Sequence, residues 1–151
     1  RDKVLACRAD TEAQIIQTGR RDSDNKIPIF AKLSPDVTDI VEIAASVSQA
    51  GATGVSVINT LLGMVIDTET MRPALAGVTG GLSGPAIRPI AVRCIWQIRS
   101  ALPDLPIIGM GGVTTGHDAL EMVLAGANAI SAGTSIFNDP MAPMRIQKEL
   151  E

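Results

Sequence analysis

A repeated pattern in the carboxyl-terminal third of the chain constrains the fold more than any other feature of the sequence. The stretch 106–137 reads PIIGMGGVTTGHDALEMVLAGANAISAGTSIF, and in it two short apolar runs that lead into glycine are separated by a helical pattern. Continuous apolar runs are typical of strands that are buried on both faces of a parallel sheet. The repeat therefore predicts neighbouring βα units whose strands lead into Gly111-Gly112 and Gly133-Thr134.

Two similar units precede this pair, so the sequence predicts four βα units. The alternation of strands and helices implies parallel pairing and right-handed crossovers. Ser83 is the predicted N-cap of the second helix, and Pro85 suits its first turn. The predicted strands cover 27–33, 54–59, 106–110 and 127–132; the predicted helices cover 38–50, 85–101, 117–125 and part of 139–151, with a further helix within 10–21 and a small hairpin within 64–76.

These units predict an α/β fold of one of two kinds. Four consecutive βα units fit either an open doubly wound sheet or half of a (β/α)8 TIM barrel. A complete barrel takes about 250 residues. The 151 residues of this chain are therefore too few to close a barrel alone.

The composition limits the classes of partner. Hydrophobic residues make up 46% of the chain and aromatic residues only 2%, so the core must consist mainly of aliphatic side chains. A net charge of −3 offers no basic surface for nucleic acid. No apolar run is long enough to span a bilayer and no signal peptide is evident, so we expect no membrane association and a cytoplasmic location. One histidine and two distant cysteines, Cys7 and Cys94, form neither a metal-ligand set nor a disulfide framework.

The residues at the predicted strand ends indicate a ligand site. In both kinds of α/β fold, ligands bind at the carboxyl ends of the strands. Those ends carry Lys32, the pair Asn59-Thr60 and the glycine-containing pairs Gly111-Gly112 and Gly133-Thr134. Gly84 lies at a helix start. Glycine amides near a helix start can bind phosphate. A glycine after a strand also fits an ordinary turn, however, and Lys32 also fits a solvated strand end.

Several stretches resemble a known family in their order along the chain. They are AKLSPDVTDIVEIA, INTLLGMVIDTETMRPALAGVTGGLSGPAIRPIAVR, PIIGMGGV and AISAGTSIF, which span about residues 27–137. They are similar to the C-terminal half of the catalytic subunit of class 1B dihydroorotate dehydrogenases. The resemblance implies an FMN-containing (β/α)8 barrel, of which residues 1–151 supply about the last four βα units. It implies oxidation of dihydroorotate to orotate in pyrimidine biosynthesis, with a partner subunit that carries an iron–sulfur cluster and FAD.

The resemblance also implies roles for individual residues. Lys32 resembles the lysine that contacts the flavin ring, and Ile58 resembles the residue that lies against it. Asn59 and Thr60 resemble an orotate-binding pair. The remaining FMN contacts implied are Gly84, Gly111, Gly112, Gly133 and Thr134. Of these, Gly111-Gly112 and Gly133-Thr134 are the segments implied to bind the phosphate.

The chain departs from the family pattern in one important respect. The family's catalytic base is a cysteine in an N-x-S-C-P-N loop, and this sequence has no such loop. We therefore expect no catalytic base within residues 1–151, and we expect the isolated chain to be inactive and to self-associate as a homo-oligomer. Two other functions fit the residues: another FMN barrel, such as a dihydropyrimidine dehydrogenase domain, and a catalytically silent phosphate-binding remnant.

Overall fold

The computed structural model describes residues 28–151, which contain a four-stranded parallel sheet, five α-helices and a β excursion. The strands of the parallel sheet lie close to their predicted positions but are shorter. The second strand, for example, ends at Val57 and not at Asn59. The parallel strands are β1 (Phe30–Leu33), β2 (Gly54–Val57), β7 (Ile107–Met110) and β8 (Ala129–Ser131), and the excursion contains β3 (Leu61–Gly63), β4 (Ile66–Asp67), β5 (Arg72–Pro73) and β6 (Gly80–Leu82).

The helices begin and end where their flanking residues favour it. Asp39 caps the first helix by accepting hydrogen bonds from the backbone N–H groups of Val41 and Glu42. Thr115 and Asp118 form a capping box at the start of the third, and Gly126 ends it in the left-handed conformation, as predicted. The helices are α1 (Ile40–Gln49), α2 (Arg88–Ala101), α3 (Gly116–Ala125), the short α4 (Ser135–Asn138) and α5 (Ala142–Leu150), and a 3-10 turn (Pro85–Ile87) precedes α2.

The parallel sheet has the strand order β1-β2-β7-β8, which is also the order of these strands along the chain. All of its neighbouring strands are parallel, as predicted. The helices follow the same order, since α1 packs on α2, α2 on α3, and α3 on α5. A doubly wound sheet reverses its strand order at a switch point, and no reversal occurs among residues 28–151. The arrangement is consistent with a TIM-barrel-type fold.

The core lies between the sheet and the helices and is almost entirely aliphatic. Gly109 in β7 lies so close to the helices that a Cβ placed on it would contact Ile95 of α2 and Met122 of α3. Burial of apolar side chains of this kind is the main stabilising contribution to a domain of this size. The largest fully buried side chains are Ile95, Ile98, Ile107, Met122, Val55, Val57 and Cys94.

Between β2 and α2 the chain makes an antiparallel excursion of two nested strand pairs. The inner pair, β4 with β5, confirms the small hairpin predicted within 64–76. The outer pair, β3 with β6, was not predicted. Gly81 in β6 lies beside Thr60, and a Cβ there would overlap the Thr60 side chain. This close approach explains the glycine at position 81, and a Cβ on neighbouring Gly80 would lie 2.6 Å from Leu75 Cδ1.

Two predictions about helix ends were wrong or incomplete. Ser83 does not cap α2: Gly84 occupies the N-cap of the preceding 3-10 turn, and no side chain caps either element. Pro85 does occupy the first turn, as predicted. The predicted terminal helix is α5, but residues 139–141 separate it from α4, which was not predicted. The helix predicted within 10–21 lies outside the described residues.

No helix in the described part of the chain is both long enough and apolar enough to cross a bilayer.

Candidate functional site

A cleft of about 230 Å³ lies at the carboxyl ends of the parallel strands. It brings together eight of the nine residues that the sequence singled out: Lys32, Ile58, Thr60, Gly84, Gly111, Gly112, Gly133 and Thr134. Asn59, the ninth, does not line the cleft; it is exposed, and its backbone N–H donates a hydrogen bond to the Leu33 carbonyl oxygen at 2.8 Å. Further lining residues that the sequence reasoning missed are Ser83, Pro85, Ile87, Met110, Val113, Thr114, Ser131, Ser135 and Asn138.

Lys32 supplies a positive charge at one side of the cleft. It alternates with buried Leu33 along β1 and shares an exposed face with Phe30, as strand alternation predicted. No carboxylate among residues 28–151 lies within ion-pair distance of its ammonium group. An unpaired ammonium beside a cleft can pair with an anionic or strongly polar ligand atom.

Ile58 supplies an apolar wall on the same side. It directly follows β2, its side chain is only 3% exposed, and its backbone N–H donates to the Met110 carbonyl oxygen at 3.0 Å. This hydrogen bond joins the end of β2 to the end of β7. The wall is therefore anchored to the sheet and suits the face of a planar ligand.

Three of the glycines have backbone conformations that other residues rarely adopt. The φ angles are 92° at Gly84, 119° at Gly111 and 79° at Gly112. A Cβ on Gly112 would lie 2.7 Å from the Gly84 carbonyl oxygen and 3.0 Å from the Arg88 Cβ. The segment after β7 can approach the segment before α2 this closely because Gly112 has no side chain, whereas a Cβ on Gly84 would meet nothing within 4 Å.

Gly133 differs from these glycines. Its φ angle lies outside the left-handed region, and a Cβ placed on it would meet nothing within 4 Å. Packing among the described residues therefore does not require glycine at this position. Open space beside a glycine in a cleft lining is what a bound group would fill.

The Ser135 hydroxyl marks the same part of the cleft. Its Oγ is buried and has no hydrogen-bond partner. Among residues 28–151 it is the one buried side-chain oxygen or nitrogen that lacks a partner. Buried polar groups are nearly always paired in proteins. The hydroxyl next to Gly133 and Thr134 therefore indicates a polar ligand atom in the cleft.

A charged network lies behind the cleft and was missed by the sequence reasoning. The Arg88 guanidinium forms ion pairs with Asp118 and, at 2.9 Å, with Glu121. Asp118 also accepts hydrogen bonds from Thr114 and Thr115. The spacing T-x-x-D at residues 115–118 is a capping-box signal and could have identified Asp118, but nothing in the sequence indicates its pairing with Arg88.

The ionisation of Asp118 follows from these contacts. Its side chain is only 8% exposed, and burial by itself raises the pKa of a carboxyl group. Hydrogen bonds from Thr114 and Thr115 outweigh that effect, so the pKa of Asp118 lies below its ordinary value. Asp118 is therefore charged at neutral pH despite its burial.

The described residues contain one cysteine and no cluster of three metal-ligating side chains. Cys94 is fully buried in α2. Burial raises the pKa of its thiol above the ordinary value, although neighbouring Arg93 acts in the opposite direction. Cys94 is thus a core residue, as predicted.

Comparison with known proteins identifies the family of the chain. The family described as "Dihydroorotate dehydrogenase" matches residues 4–151. Three similar proteins all carry the name "Dihydroorotate dehydrogenase B (NAD(+)), catalytic subunit". The protein from Citrifermentans bemidjiense is 56% identical over 124 residues, 82% of this chain and 40% of its own length. The protein from Latilactobacillus sakei is 56% identical over 126 residues, 83% and 41% of the two chains. The protein from Trichlorobacter lovleyi is 49% identical over 148 residues, 98% and 44% of the two chains.

The chain thus spans less than half the length of these curated relatives. The family match, by contrast, covers nearly all of the chain. The chain belongs to the dihydroorotate dehydrogenase family.

Proposed function

We propose that this chain supplies the flavin-binding part, and one side of the substrate site, of an FMN-dependent dihydroorotate dehydrogenase of pyrimidine biosynthesis. The observation that carries the proposal is that one cleft at the strand ends is lined by Lys32, Ile58, Thr60 and the glycines at 84, 111, 112 and 133. These residues come from four different strand–helix units, so sequence proximity alone does not explain their convergence.

The residues of the cleft fit FMN. The open space at Gly133 and the unpaired Ser135 hydroxyl suit a phosphate, which offers several acceptor oxygens. Gly111 and Gly112 let the backbone approach the ligand closely, and Ile58 offers an apolar surface to a planar ring. FMN, when bound, accepts the hydride that the substrate gives up.

Lys32 has an electrostatic role in this proposal. Its ammonium group stabilises the negative charge that grows on the pyrimidine end of the ring system during hydride transfer. No carboxylate among residues 28–151 forms an ion pair with Lys32, so its positive charge is free to act on the ring system. Placing the phosphate near Gly133, across the cleft, separates its negative charge from the redox centre.

Asn59 and Thr60 have the substrate role. An amide and a hydroxyl together can donate to and accept from the carboxylate and carbonyl groups of orotate. Thr60 lines the cleft, while Asn59 is exposed beside it. The proton that leaves the substrate carbon next to the reacting one goes to a base that residues 1–151 do not contain.

The remaining parts of the proposal concern the assembly. The chain forms the last four βα units of a (β/α)8 barrel, in accord with its sequential strand order. A subunit with an iron–sulfur cluster and FAD would receive the electrons, and the catalytic subunit would form a homo-oligomer. The names of the similar proteins favour this enzyme over a dihydropyrimidine dehydrogenase domain.

A hybrid subunit tests the proposal. In it, the matched segment of the Citrifermentans bemidjiense catalytic subunit is replaced by this chain, and dihydroorotate-dependent dye reduction is measured. The hybrid should bind FMN and oxidise dihydroorotate but not dihydrouracil. A folded hybrid without bound flavin would contradict the proposal and favour a silent remnant, whereas preference for dihydrouracil would favour the other FMN barrel.

The isolated 151-residue chain is the matched control for the hybrid. It should show no dihydroorotate-dependent dye reduction, because proton abstraction by a positioned base contributes about 10²–10⁴-fold. Reduction by the isolated chain at a rate near that of the hybrid would place the base within residues 1–151.

A further inference from the structure

The segment from Gly111 to Thr115 connects β7 to α3 and lines the cleft, and one carboxylate oxygen holds it in place. Asp118 Oδ2 accepts hydrogen bonds from the Thr114 N–H at 3.0 Å, the Thr114 hydroxyl at 2.7 Å and the Thr115 N–H at 3.0 Å. Three bonds to one oxygen fix the position of that backbone more tightly than a single cap bond would.

The other oxygen of Asp118 connects the segment to a second wall of the cleft. Asp118 Oδ1 accepts from the Arg88 guanidinium, and Arg88 is the first residue of α2. A Cβ on Gly112 would lie 3.0 Å from the Arg88 Cβ and 2.7 Å from the Gly84 carbonyl oxygen. Asp118 is therefore linked through one arginine to the place where the Gly112 and Gly84 segments meet.

These contacts exceed what a helix cap needs. The capping box requires only reciprocal bonds between Thr115 and Asp118. Asp118 makes two further bonds to Thr114, which lines the cleft, and an ion pair with a different helix. A buried carboxylate with this many partners has a fixed position, and so have the groups bound to it.

We propose that Asp118 is a positioning residue for the flavin cleft. It holds Gly111–Thr114 in the conformation in which the two glycines line the cleft, and through Arg88 it sets the separation of that segment from Gly84. Asp118 lies behind the lining and acts through the backbone. The proposal rests on the proposed function, since it takes FMN as the occupant of the cleft.

The test compares three substitutions in the hybrid subunit that contains this chain. Asp118→Asn removes the charge and leaves one oxygen to accept. Glu121→Gln is the matched control, because it weakens the partly exposed contact to Arg88 and keeps every bond to Thr114 and Thr115. Arg99→Gln controls for lost stability, because Arg99 binds the Gly126 carbonyl, the Pro103 carbonyl and Asn128 at the amino ends of the strands, opposite the cleft.

Two quantities are measured for each variant: hydrogen exchange of the Thr114 and Thr115 amides, and FMN affinity by flavin fluorescence. Asp118→Asn should speed exchange at both amides and weaken FMN binding about tenfold, which corresponds to about 1.4 kcal/mol. Glu121→Gln should change neither quantity. Arg99→Gln should lower the unfolding midpoint and leave FMN affinity unchanged. If Asp118→Asn does not fold, Asp118→Glu replaces it, since it keeps the charge and displaces the oxygens.

Each contrary outcome has a distinct meaning. Faster exchange with unchanged FMN affinity would reduce Asp118 to a helix cap and overturn the inference. Unchanged exchange would overturn it whatever the flavin titration gave, and so would an equal loss of affinity in Arg99→Gln. Failure of the unsubstituted hybrid to bind FMN would count against the proposed function and the flavin role, while the exchange data would still decide whether Asp118 positions the segment.

Discussion

The glycines of the cleft are alike in sequence but differ in what their surroundings demand. Gly112 has both a positive φ angle and close neighbours, Gly84 has the positive φ angle alone, and Gly133 has neither. The sequence predicted that these glycines would converge, because strand ends of one parallel sheet lie together. It could not distinguish them, because the distinction depends on the Gly84 carbonyl and Arg88, which are distant in the chain.

This difference predicts that alanine substitutions at the two positions affect different properties. Gly112→Ala should destabilise the fold by about 1–3 kcal/mol or more, because the new Cβ is strained and would overlap the Gly84 carbonyl oxygen. Gly133→Ala should change the free energy of unfolding by less than about 0.5 kcal/mol but weaken FMN binding. Urea unfolding and flavin titration of both variants measure this, and a large stability loss in Gly133→Ala would contradict the assignment.

Lys32 predicts a change in the flavin redox potential. In the hybrid subunit, Lys32→Ala should weaken FMN binding and lower the potential, because the reduced flavin loses its counter-charge. Lys32→Arg should restore the wild-type values only in part, since a planar guanidinium does not replace a compact ammonium group. A redox titration provides the measurement. Unchanged potential and affinity in Lys32→Ala would show that Lys32 is a solvated strand end.

Asp118 predicts the direction of a pH effect on stability. Its pKa is lower in the folded protein than the ordinary value of 3.8, so the unfolded chain binds the proton more readily. The stability that Asp118 contributes should therefore be complete well above pH 3.8 and be lost as the pH falls below that value through the folded pKa. Arg88 is the ion-pair partner of Asp118, Glu121 pairs with the same arginine, and the charge of Asp118 acts on the α5 residue Glu149.

The measurement compares the unfolding free energies of wild type and Asp118→Asn from neutral pH down to acid pH. The difference between the two proteins should be constant at neutral pH and shrink on acidification. A difference that grows on acidification would reverse the sign and contradict the assigned hydrogen bonds.

At the scale of elements, local patterns predicted most of what forms locally. The apolar runs predicted all four parallel strands, and Gly126 predicted the end of α3. The pairing of β3 with β6 was missed because it joins residues about twenty positions apart through short, glycine-rich strands. The Ser83 cap was wrong because a serine before Gly-Pro resembles an N-cap, while the backbone turns at Gly84 instead.

Arg99, near the end of α2, forms contacts at the amino ends of the strands, opposite the cleft. Arg99 Nε and NH2 bind the Gly126 carbonyl oxygen at 3.0 Å and 2.7 Å, and NH2 also binds Asn128 Oδ1 at 2.6 Å. The same Asn128 oxygen accepts from the Ile107 N–H at 2.9 Å, so these contacts join α2, the end of α3 and the start of β7.

Arg99→Gln should therefore lower the free energy of unfolding by about 1–3 kcal/mol, the usual cost of losing charge-assisted bonds. Arg93→Gln is a suitable control, because exposed Arg93 lies on the same helix and its bond to Gln97 spans one helical turn. Chemical denaturation measures both variants. Equal effects of the two substitutions would show that the Arg99 contacts add nothing to stability.

At the scale of the whole chain, the described residues expose large apolar side chains. Met71 in the β excursion is 83% exposed and Phe137 in α4 is 88% exposed, and β1 and β8 each have a neighbour on one side only within residues 28–151. Apolar patches and open strand edges favour association.

The position of the cleft could be predicted from the sequence at this scale, since it follows from the order of the parallel strands.

The 151-residue chain should therefore self-associate. Sedimentation velocity should show dimers or larger species whose share rises with concentration, and Phe137→Asp should reduce that share if α4 lies in the contact. A single monomeric boundary at high concentration would contradict this expectation.

The agreement between strand order and chain order also has a consequence for the timing of folding during synthesis. Each parallel strand pairs with the parallel strand that precedes it in the chain. A chain that leaves the ribosome from its amino terminus therefore presents every new strand to a partner that has already emerged. The cleft, by contrast, needs Thr134 and Ser135 as well as Lys32, so it is completed only after β8 has emerged. A ligand of the cleft should accordingly bind only after all four parallel strands of residues 28–151 have emerged.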